Sequence, residues 1–218
     1  MTLRPLGMLA LAVSLAVPVR AQLPISAGAS VSLVEHRVTA GAGLERSSGT
    51  MFGLSAATIL PWQALEARAS LRVGSLGANE ASAMDRDVGE LSVGATLPLS
   101  AWLGLESGIL IRRYESAVAA QRWAWAQIGL RGHTSLLDLM NGEVTLSAGL
   151  SIMPLVSVSG ISRPDLSVAA HTAIAYTTGR LTASMRYGLE RFDFPARNDV
   201  RRLEELSSLE FGAAWKFR

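Results

Sequence analysis

Apolar and polar residues alternate strictly over most of the chain. In residues 63–74, Leu65, Leu71 and Val73 share one set of alternate positions with two alanines, while charged and small residues fill the other set. A period of two predicts a β-strand with one apolar and one polar face. The same pattern predicts nine further strands, at residues 25–37, 50–60, 88–99, 102–113, 121–132, 143–153, 166–177, 181–191 and 205–217.

The predicted strands are long, and their connections alternate between short and long. Each strand runs for roughly 11–13 residues, whereas strands of globular proteins average about 5–6 and a strand tilted by about 45° crosses a bilayer in roughly 9–11. His133 to Gly142 is expected to form a long turn with a short helical piece. Tight connections are expected at 61–62, 100–101 and 179–180, and longer loops at 38–49, 77–87, 114–120, 155–165 and 192–204.

These features predict an all-β fold, namely an antiparallel up-and-down transmembrane β-barrel of ten strands, with eight strands as the alternative. Closing the sheet pairs every backbone group, which an open sheet in lipid could not do. Short turns then face the periplasm and longer loops face the outside. A soluble barrel of the lipocalin type, with its apolar residues inside, would show the same alternation. The length of the strands favours the membrane barrel.

Aromatic residues cluster near the two ends of the predicted strands rather than in their middles. Amphipathic rings prefer membrane interfaces, whereas a soluble core would bury them in mid-strand. Trp123 and Trp125 are assigned to the external rim and the others to the periplasmic rim. The expected membrane-interface residues are Trp62, Trp102, Trp123, Trp125, Tyr176, Trp215 and Phe217.

Composition separates this chain from ordinary soluble domains. Hydrophobic residues make up 49% of the 218 residues and charged residues 17%, against a usual charged share of roughly 25%. No run of about 18 apolar residues is present that could form a transmembrane helix. Cysteine is absent, which excludes disulfides and thiolate metal sites.

The N-terminus predicts export. Residues 1–21 combine Arg4, an apolar stretch over 6–17 and the small-x-small sequence Val19-Arg20-Ala21, the pattern of a secretory signal peptide. The barrel domain is then 22–218. Removing the two arginines of the signal peptide leaves 20 − 2 = 18 basic residues against 18 acidic ones, so no nucleic-acid partner is expected.

The last predicted strand runs Leu209-x-Phe211-x-Ala213-x-Trp215-x-Phe217 before Arg218. With the signal peptide, the alternation and the aromatic girdles, this ending resembles the small bacterial outer-membrane β-barrel proteins over essentially the whole mature chain. The resemblance implies the outer membrane of a Gram-negative cell envelope, contact with its lipid and lipopolysaccharide, and recognition of the final strand by the barrel assembly machinery. It is specific for the class, identifies no single family, and leaves any ligand open.

The polar faces of the predicted strands carry as many cations as anions. Buried charges are costly unless they are paired and hydrogen-bonded, so we expect an ion-pair network that fills the lumen, and loss of stability for Arg186→Ala. This predicts a non-enzymatic barrel with a structural or surface-interacting role. The alternative is a narrow, porin-like passive pore for water, ions or small solutes. The network residues are Glu66, Arg68, Arg72, Glu90, Glu106, Arg112, Arg131, Glu143, Arg186, Glu190, Glu210 and Lys216.

A second alternative is an outer-membrane hydrolase acting on lipid or peptide. His133-Thr134-Ser135 superficially resembles the His/Ser pair of lipid A deacylases, but the expected topology places it on the periplasmic side. Asp85-Arg86-Asp87 offers paired carboxylates in an external loop, as omptin proteases do, without an accompanying Asp-x-His. His36 is expected to be a polar rim residue. No cofactor or metal motif is present, and we expect neither an enzyme nor a cofactor.

Overall fold

The computed structural model describes residues 23–61, 64–79, 84–139 and 141–217. They form ten antiparallel strands that close into a barrel, in which each strand pairs with its sequence neighbours and β1 pairs with β10. The ten-stranded up-and-down barrel is confirmed, and the eight-stranded alternative is wrong. No helix in these ranges is long and apolar enough to cross a membrane. The strands are β1 (Ile25–Ala40), β2 (Gly43–Leu60), β3 (Leu65–Ala78), β4 (Arg86–Pro98), β5 (Leu103–Glu115), β6 (Ala120–Leu139), β7 (Gly142–Val158), β8 (Leu166–Thr178), β9 (Leu181–Arg197) and β10 (Val200–Lys216).

The two ends of the barrel differ in their connections. We call the end where β1 begins and β10 finishes the terminal end, and the opposite end the distal end. The predicted signal peptide and Trp62 lie outside the described residues. The described connections lie at 99–102 and 179–180 at the terminal end, and at 41–42, 116–119, 159–165 and 198–199 at the distal end. The segments that join β2 to β3, β3 to β4 and β6 to β7 include residues outside the described ranges.

Two of the expected distal loops, 38–49 and 192–204, are mostly strand. The β1–β2 ladder continues to Ala40 and Gly43, and the β9–β10 ladder continues to Arg197 and Val200. Each hairpin closes with two residues. Asn198 and Asp199 in the second hairpin have positive φ angles of 51° and 61°, the conformation that a two-residue hairpin turn of type I′ requires.

The expected long turn with a helical piece between His133 and Gly142 is also wrong. β6 continues to Leu139 and pairs with β7 down to Gly142. The ladder shifts register between Ser135 and Leu137, where two adjacent leucines interrupt the alternation. Because the period of two fails there, the sequence pattern alone ends the strand too early.

An apolar band surrounds the barrel. Side chains such as Leu54, Val93 and Leu150 face outward and are more than half exposed. Nine residues at about 3.3 Å each and a tilt of about 45° rise roughly 20 Å, close to the ~25 Å apolar band of transmembrane barrels. Lipid would cover this surface. The band occupies nine residues of most strands, for example 25–33, 103–111, 181–189 and 209–217.

Beyond this band, toward the distal end, the strands exchange the polarity of their two faces. In β1, Leu33 faces outward, whereas the next residues place Val34 inside and Glu35 outside. In β5, Tyr114 is buried inside while Arg113 faces outward. The distal part of the barrel therefore has a polar outer surface and an apolar interior, as a water-soluble barrel has.

Candidate functional site

The distal part of the lumen is filled by an apolar cluster, which we call the distal plug. All strands except β8 supply its buried side chains. Phe192 contacts both tryptophans edge-on, with ring centroids 4.8 Å from Trp123 and 5.5 Å from Trp125, a favourable aromatic geometry. Packed side chains thus close the lumen at this end. The plug consists of Val34, Met51, Leu76, Val88, Tyr114, Trp123, Trp125, Met153, Val156, Val158, Phe192, Phe194 and Leu206.

The prediction that Trp123 and Trp125 lie at the membrane interface is wrong. Both are 2% exposed and lie inside the lumen, because this part of β6 lies beyond the apolar band, where the faces are inverted. Their indole N–H groups have no hydrogen-bond acceptor among the described residues. Ring packing holds them, together with the Arg112 guanidinium, which lies 4.9 Å from the Trp125 ring in a cation–π contact.

The other expected interface aromatics lie near the terminal end. Trp102, Trp215 and Phe217 are exposed on the outer surface, and Tyr176 is partly buried on the same surface. Their contact with a membrane interface stays a prediction.

An ion-pair layer lies next to the plug on its terminal side. The Arg112 guanidinium donates to Glu90 Oε2 at 2.6 and 2.9 Å, and to the two oxygens of Glu190 at 2.8 and 3.1 Å. Arg72 donates to Glu90 Oε1 at 2.7 Å and lies 3.5 Å from Glu210. Charged donors on both oxygens of Glu90 offset the cost of burying this carboxylate.

Sheet register accounts for this layer. Arg72, Glu90 and Arg112 are direct cross-strand neighbours on β3, β4 and β5. Glu190 belongs to β9, which three strands separate from β5 in the ring. The bonds from Arg112 to Glu190 therefore cross the lumen and tie two walls of the barrel together.

The terminal half of the lumen, which we call the vestibule, holds a looser set of charges. Arg68 and Arg131 approach Glu106 Oε1 at 3.7 and 3.8 Å, and Arg68 lies 3.9 Å from Glu66. These distances exceed the roughly 2.7–2.9 Å of a charge-assisted hydrogen bond. The expected network is therefore present, but it is tight only in the ion-pair layer.

Three expected members of the network, Arg186, Glu143 and Lys216, have no ion pair within 4.0 Å among the described residues, which corrects the prediction. Glu143 and Lys216 are exposed near the terminal ends of their strands. Arg186 lies beside Glu210 in register, but the Glu210 carboxylate lies nearer to Arg72 and accepts a hydrogen bond from a serine of β1 instead.

His36 is buried inside the distal end, which corrects the expectation of a polar rim residue. Its Nε2 lies 3.1 Å from Glu204 Oε2, and its ring stacks on Tyr114 with centroids 5.3 Å apart. Arg202 donates to the other Glu204 oxygen at 2.8 Å. Arg86 covers the Tyr114 ring at 5.8 Å. This polar cluster links β1, β4, β5 and β10 at the distal end.

Neither hydrolase motif assembles into a site within the described residues. His133 and Ser135 share no side-chain hydrogen bond, and the Ser135 carbonyl accepts the Thr134 hydroxyl at 3.3 Å. Asp85 accepts a backbone N–H from the end of β3 at 2.8 Å, while Asp87 is exposed on β4. In the same ranges, no group of three His, Asp or Glu side chains is placed to hold a metal ion.

Comparison with known proteins identifies the fold and no sequence family. No protein-family model and no curated protein matches the chain. The outer membrane protease OmpT from Escherichia coli aligns over 89% of this chain and 97% of its own, with a TM-score of 0.53 and 12% identity. The translocator domain of the autotransporter NalP from Neisseria meningitidis aligns over 89% and 88%, with a TM-score of 0.48 and 13% identity. Neisserial surface protein A aligns over 88% and 97%, with a TM-score of 0.40 and 12% identity.

The chain has the fold of the bacterial outer-membrane β-barrels. At these identities the likeness concerns the backbone architecture alone.

Proposed function

We propose that the protein is an integral barrel of the bacterial outer membrane with a non-enzymatic, structural or surface-interacting role. The observation that carries this proposal is the closed lumen, in which the distal plug and the ion-pair layer around Arg112 fill the cross-section. The apolar band supports the membrane location. The terminal end then faces the periplasm and the distal end faces outward, after export directed by residues 1–21.

Two partners belong to this proposal. Outer-membrane lipid and lipopolysaccharide cover the apolar band and meet the outward charges beyond it, such as Arg113 and Arg122. The barrel assembly machinery engages the last strand, whose outward face carries Leu209, Phe211 and Trp215. A surface-interacting role would use the distal part, where the strands have a polar outer face and carry the connection 159–165.

The proposal is tested by single-channel recording of refolded residues 22–218 in a planar bilayer. Heat-dependent mobility in electrophoresis, together with recovery in the outer-membrane fraction after carbonate washing, shows that the barrel is folded and integral. We expect a folded and electrically silent barrel. Steady, discrete openings would contradict the closed lumen.

A narrow passive pore is the second candidate, and the vestibule is the observation that favours it. Arg186 is exposed inside the barrel, and its half of the lumen is less tightly paired than the ion-pair layer. The same recording decides between the two functions. Cleavage of lipid or peptide by the purified barrel, lost in His133→Ala, would overturn the non-enzymatic assignment.

A further inference from the structure

We propose that the vestibule is a binding site for a small oxyanion that enters from the terminal end. Three arginines carry the proposal: Arg68, Arg131 and Arg186, on β3, β6 and β9. A binding site of this kind goes beyond the structural role proposed above and does not depend on whether the lumen conducts.

The three arginines converge from separate walls of the barrel. Two strands separate β3 from β6 in the ring, and two more separate β6 from β9. Arg68 and Arg131 approach the same oxygen, Glu106 Oε1, at 3.7 and 3.8 Å. Arg186 faces the same half of the lumen from β9, next to Glu210 in register.

Hydrogen-bond donors outnumber acceptors in this volume. Among the described residues, Glu106 and Glu66 are the carboxylates within 4.0 Å of these arginines, at 3.7–3.9 Å. Arg186 has no carboxylate that close, and the buried Nε of Arg131 has no acceptor in the same ranges. Arg68 donates to Thr96 Oγ1 at 3.5 Å. Because each guanidinium offers five N–H donors, the three arginines keep donors for an acceptor from outside the chain.

The charges of the lumen are also unevenly divided. In the vestibule, Arg68, Arg131 and Arg186 stand against Glu66 and Glu106, which gives a net charge of 3 − 2 = +1. The neighbouring ion-pair layer has two arginines and three glutamates, or 2 − 3 = −1. The positive excess lies on the side that opens to the terminal end, where an anion would arrive.

Small residues give the vestibule its room. Gly94 and Gly108 lie next to Arg68 in register across β4 and β5, so no side chain projects into the lumen at these two positions. The side chains of these strands that lie nearest to the Arg68 guanidinium are Thr96 at 3.5 Å and Glu106 at 3.7 Å. On the opposite wall, a Cβ at Gly149 would clash with the His171 imidazole. A side chain at Gly149 would displace an imidazole that lines the volume.

The arginines of the vestibule are more exposed than those of the ion-pair layer. Arg186 is exposed and the Arg68 side chain is 34% exposed, compared with 2% for Arg112 in the ion-pair layer. Burial therefore increases from the terminal end toward the plug. A ligand can enter through the terminal end and is stopped at Arg112.

These properties favour a small oxyanion with more than one negative charge. Guanidinium groups bind phosphate and carboxylate oxygens through paired hydrogen bonds. A phosphate-bearing or carboxylate-bearing solute shares this chemistry, while a folded macromolecule cannot enter a ten-stranded barrel, whose interior is only slightly wider than side chains alone would fill.

The test uses inorganic pyrophosphate as the probe, titrated calorimetrically into the refolded mature barrel in zwitterionic detergent at low ionic strength. We expect saturable binding with one site per barrel, weakened by added salt. Arg186→Gln should lower the affinity by about tenfold, and Arg186→Lys, which keeps the charge, should lower it less. Arg122→Gln is the matched control, because Arg122 is exposed on the outer face of β6 and the charge change is the same.

Heat-dependent mobility verifies that each variant is folded before titration. Absence of saturable binding by the unmodified barrel would overturn the proposal. Equal weakening by Arg186→Gln and Arg122→Gln would also overturn it, since the binding would then follow net charge alone. Channel recording is a separate measurement, so the binding-site proposal and the closed-lumen proposal can be rejected independently of each other.

Discussion

Arg112 and Glu90 are cross-strand neighbours joined by two hydrogen bonds of 2.6 and 2.9 Å. Both side chains are 2% exposed. The second oxygen of Glu90 binds Arg72, and the remaining donors of Arg112 bind Glu190 across the lumen. This pair marks the boundary between the closed distal part of the lumen and the vestibule, which is open to solvent.

Glu90→Gln tests what this buried pair contributes to stability. Removing one partner of a buried ion pair leaves an uncompensated charge and typically costs about 3–5 kcal/mol. Here two arginines, Arg72 and Arg112, would lose their shared carboxylate. We expect the free energy of unfolding in urea, measured by tryptophan fluorescence in lipid vesicles, to fall by about that amount.

The matched control is Glu115→Gln. Glu115 pairs with Arg113 at 3.0 Å on the outer surface, where both side chains are about half exposed. Exposed pairs contribute about 0–1 kcal/mol, so this variant should unfold almost as the unmodified barrel does. Equal losses in the two variants would contradict the special role of the ion-pair layer.

Arg186→Ala should leave stability nearly unchanged. The sequence alone predicts a loss, because Arg186 faces Glu210 in register and the two charges invite pairing. The structure leaves Arg186 without an ion pair within 4.0 Å among the described residues, so its removal breaks no bond and falls within the roughly 0.5 kcal/mol of an ordinary exposed substitution. A loss of several kcal/mol in the same unfolding assay would show that Arg186 does pair.

The strands that span the apolar band could be predicted from the sequence because lipid and lumen impose opposite requirements on alternate residues. Residues 209–217 show this most clearly, with an apolar residue at every odd position. The closure of the sheet into a barrel can also be predicted, because an open sheet edge in lipid would leave backbone groups unpaired. The number of strands and their order are therefore consequences of a pattern visible in the chain.

The sequence carries a signal for the distal plug that the girdle prediction does not use. Trp123 and Trp125 share the odd parity of Gly129 and Arg131 in β6, which marks them as inward-facing. Their distance from the strand end suggests girdle residues, but the alternation of the two faces decides which way they point. In β1 the reversal of polarity after Leu33 is equally visible in the sequence.

The individual ion pairs could not be predicted. The bond between Arg112 and Glu190 joins residues 78 positions apart on opposite walls, and no sequence period encodes that approach. Conversely, Arg186 and Glu210 are neighbours in register without forming a pair. Side-chain direction across the lumen, and competition among several partners for each carboxylate, decide these contacts.

Leu150→Arg tests the apolar band. Leu150 is 65% exposed on the outer face of β7, within the band, and an arginine facing lipid near the bilayer midplane costs about 2–4 kcal/mol. Ser157→Arg is the control on the same strand, because Ser157 faces outward beyond the band. We expect Leu150→Arg alone to lower the free energy of unfolding in vesicles. Equal effects would contradict the position assigned to the band.

Opening the distal plug should turn a silent barrel into a conducting one. Phe192 packs against Trp123 and Trp125, and the Trp125 ring also supports the Arg112 guanidinium at 4.9 Å. The double substitution Phe192→Ala with Trp125→Ala removes two rings from the plug. It also removes the cation–π contact between Trp125 and the Arg112 guanidinium. Each buried aromatic lost costs about 3–5 kcal/mol, so the folded fraction is first checked by heat-dependent mobility.

Planar-bilayer recording should then show discrete openings that the unmodified barrel lacks. Phe211→Ala with Trp215→Ala is the matched control, since both rings are exposed on the outer face of β10 and their removal leaves the lumen filled. If the plug variant does not conduct, the ion-pair layer alone is sufficient to close the lumen. Openings in the control would contradict the conclusion that the plug, rather than overall stability, keeps the barrel closed.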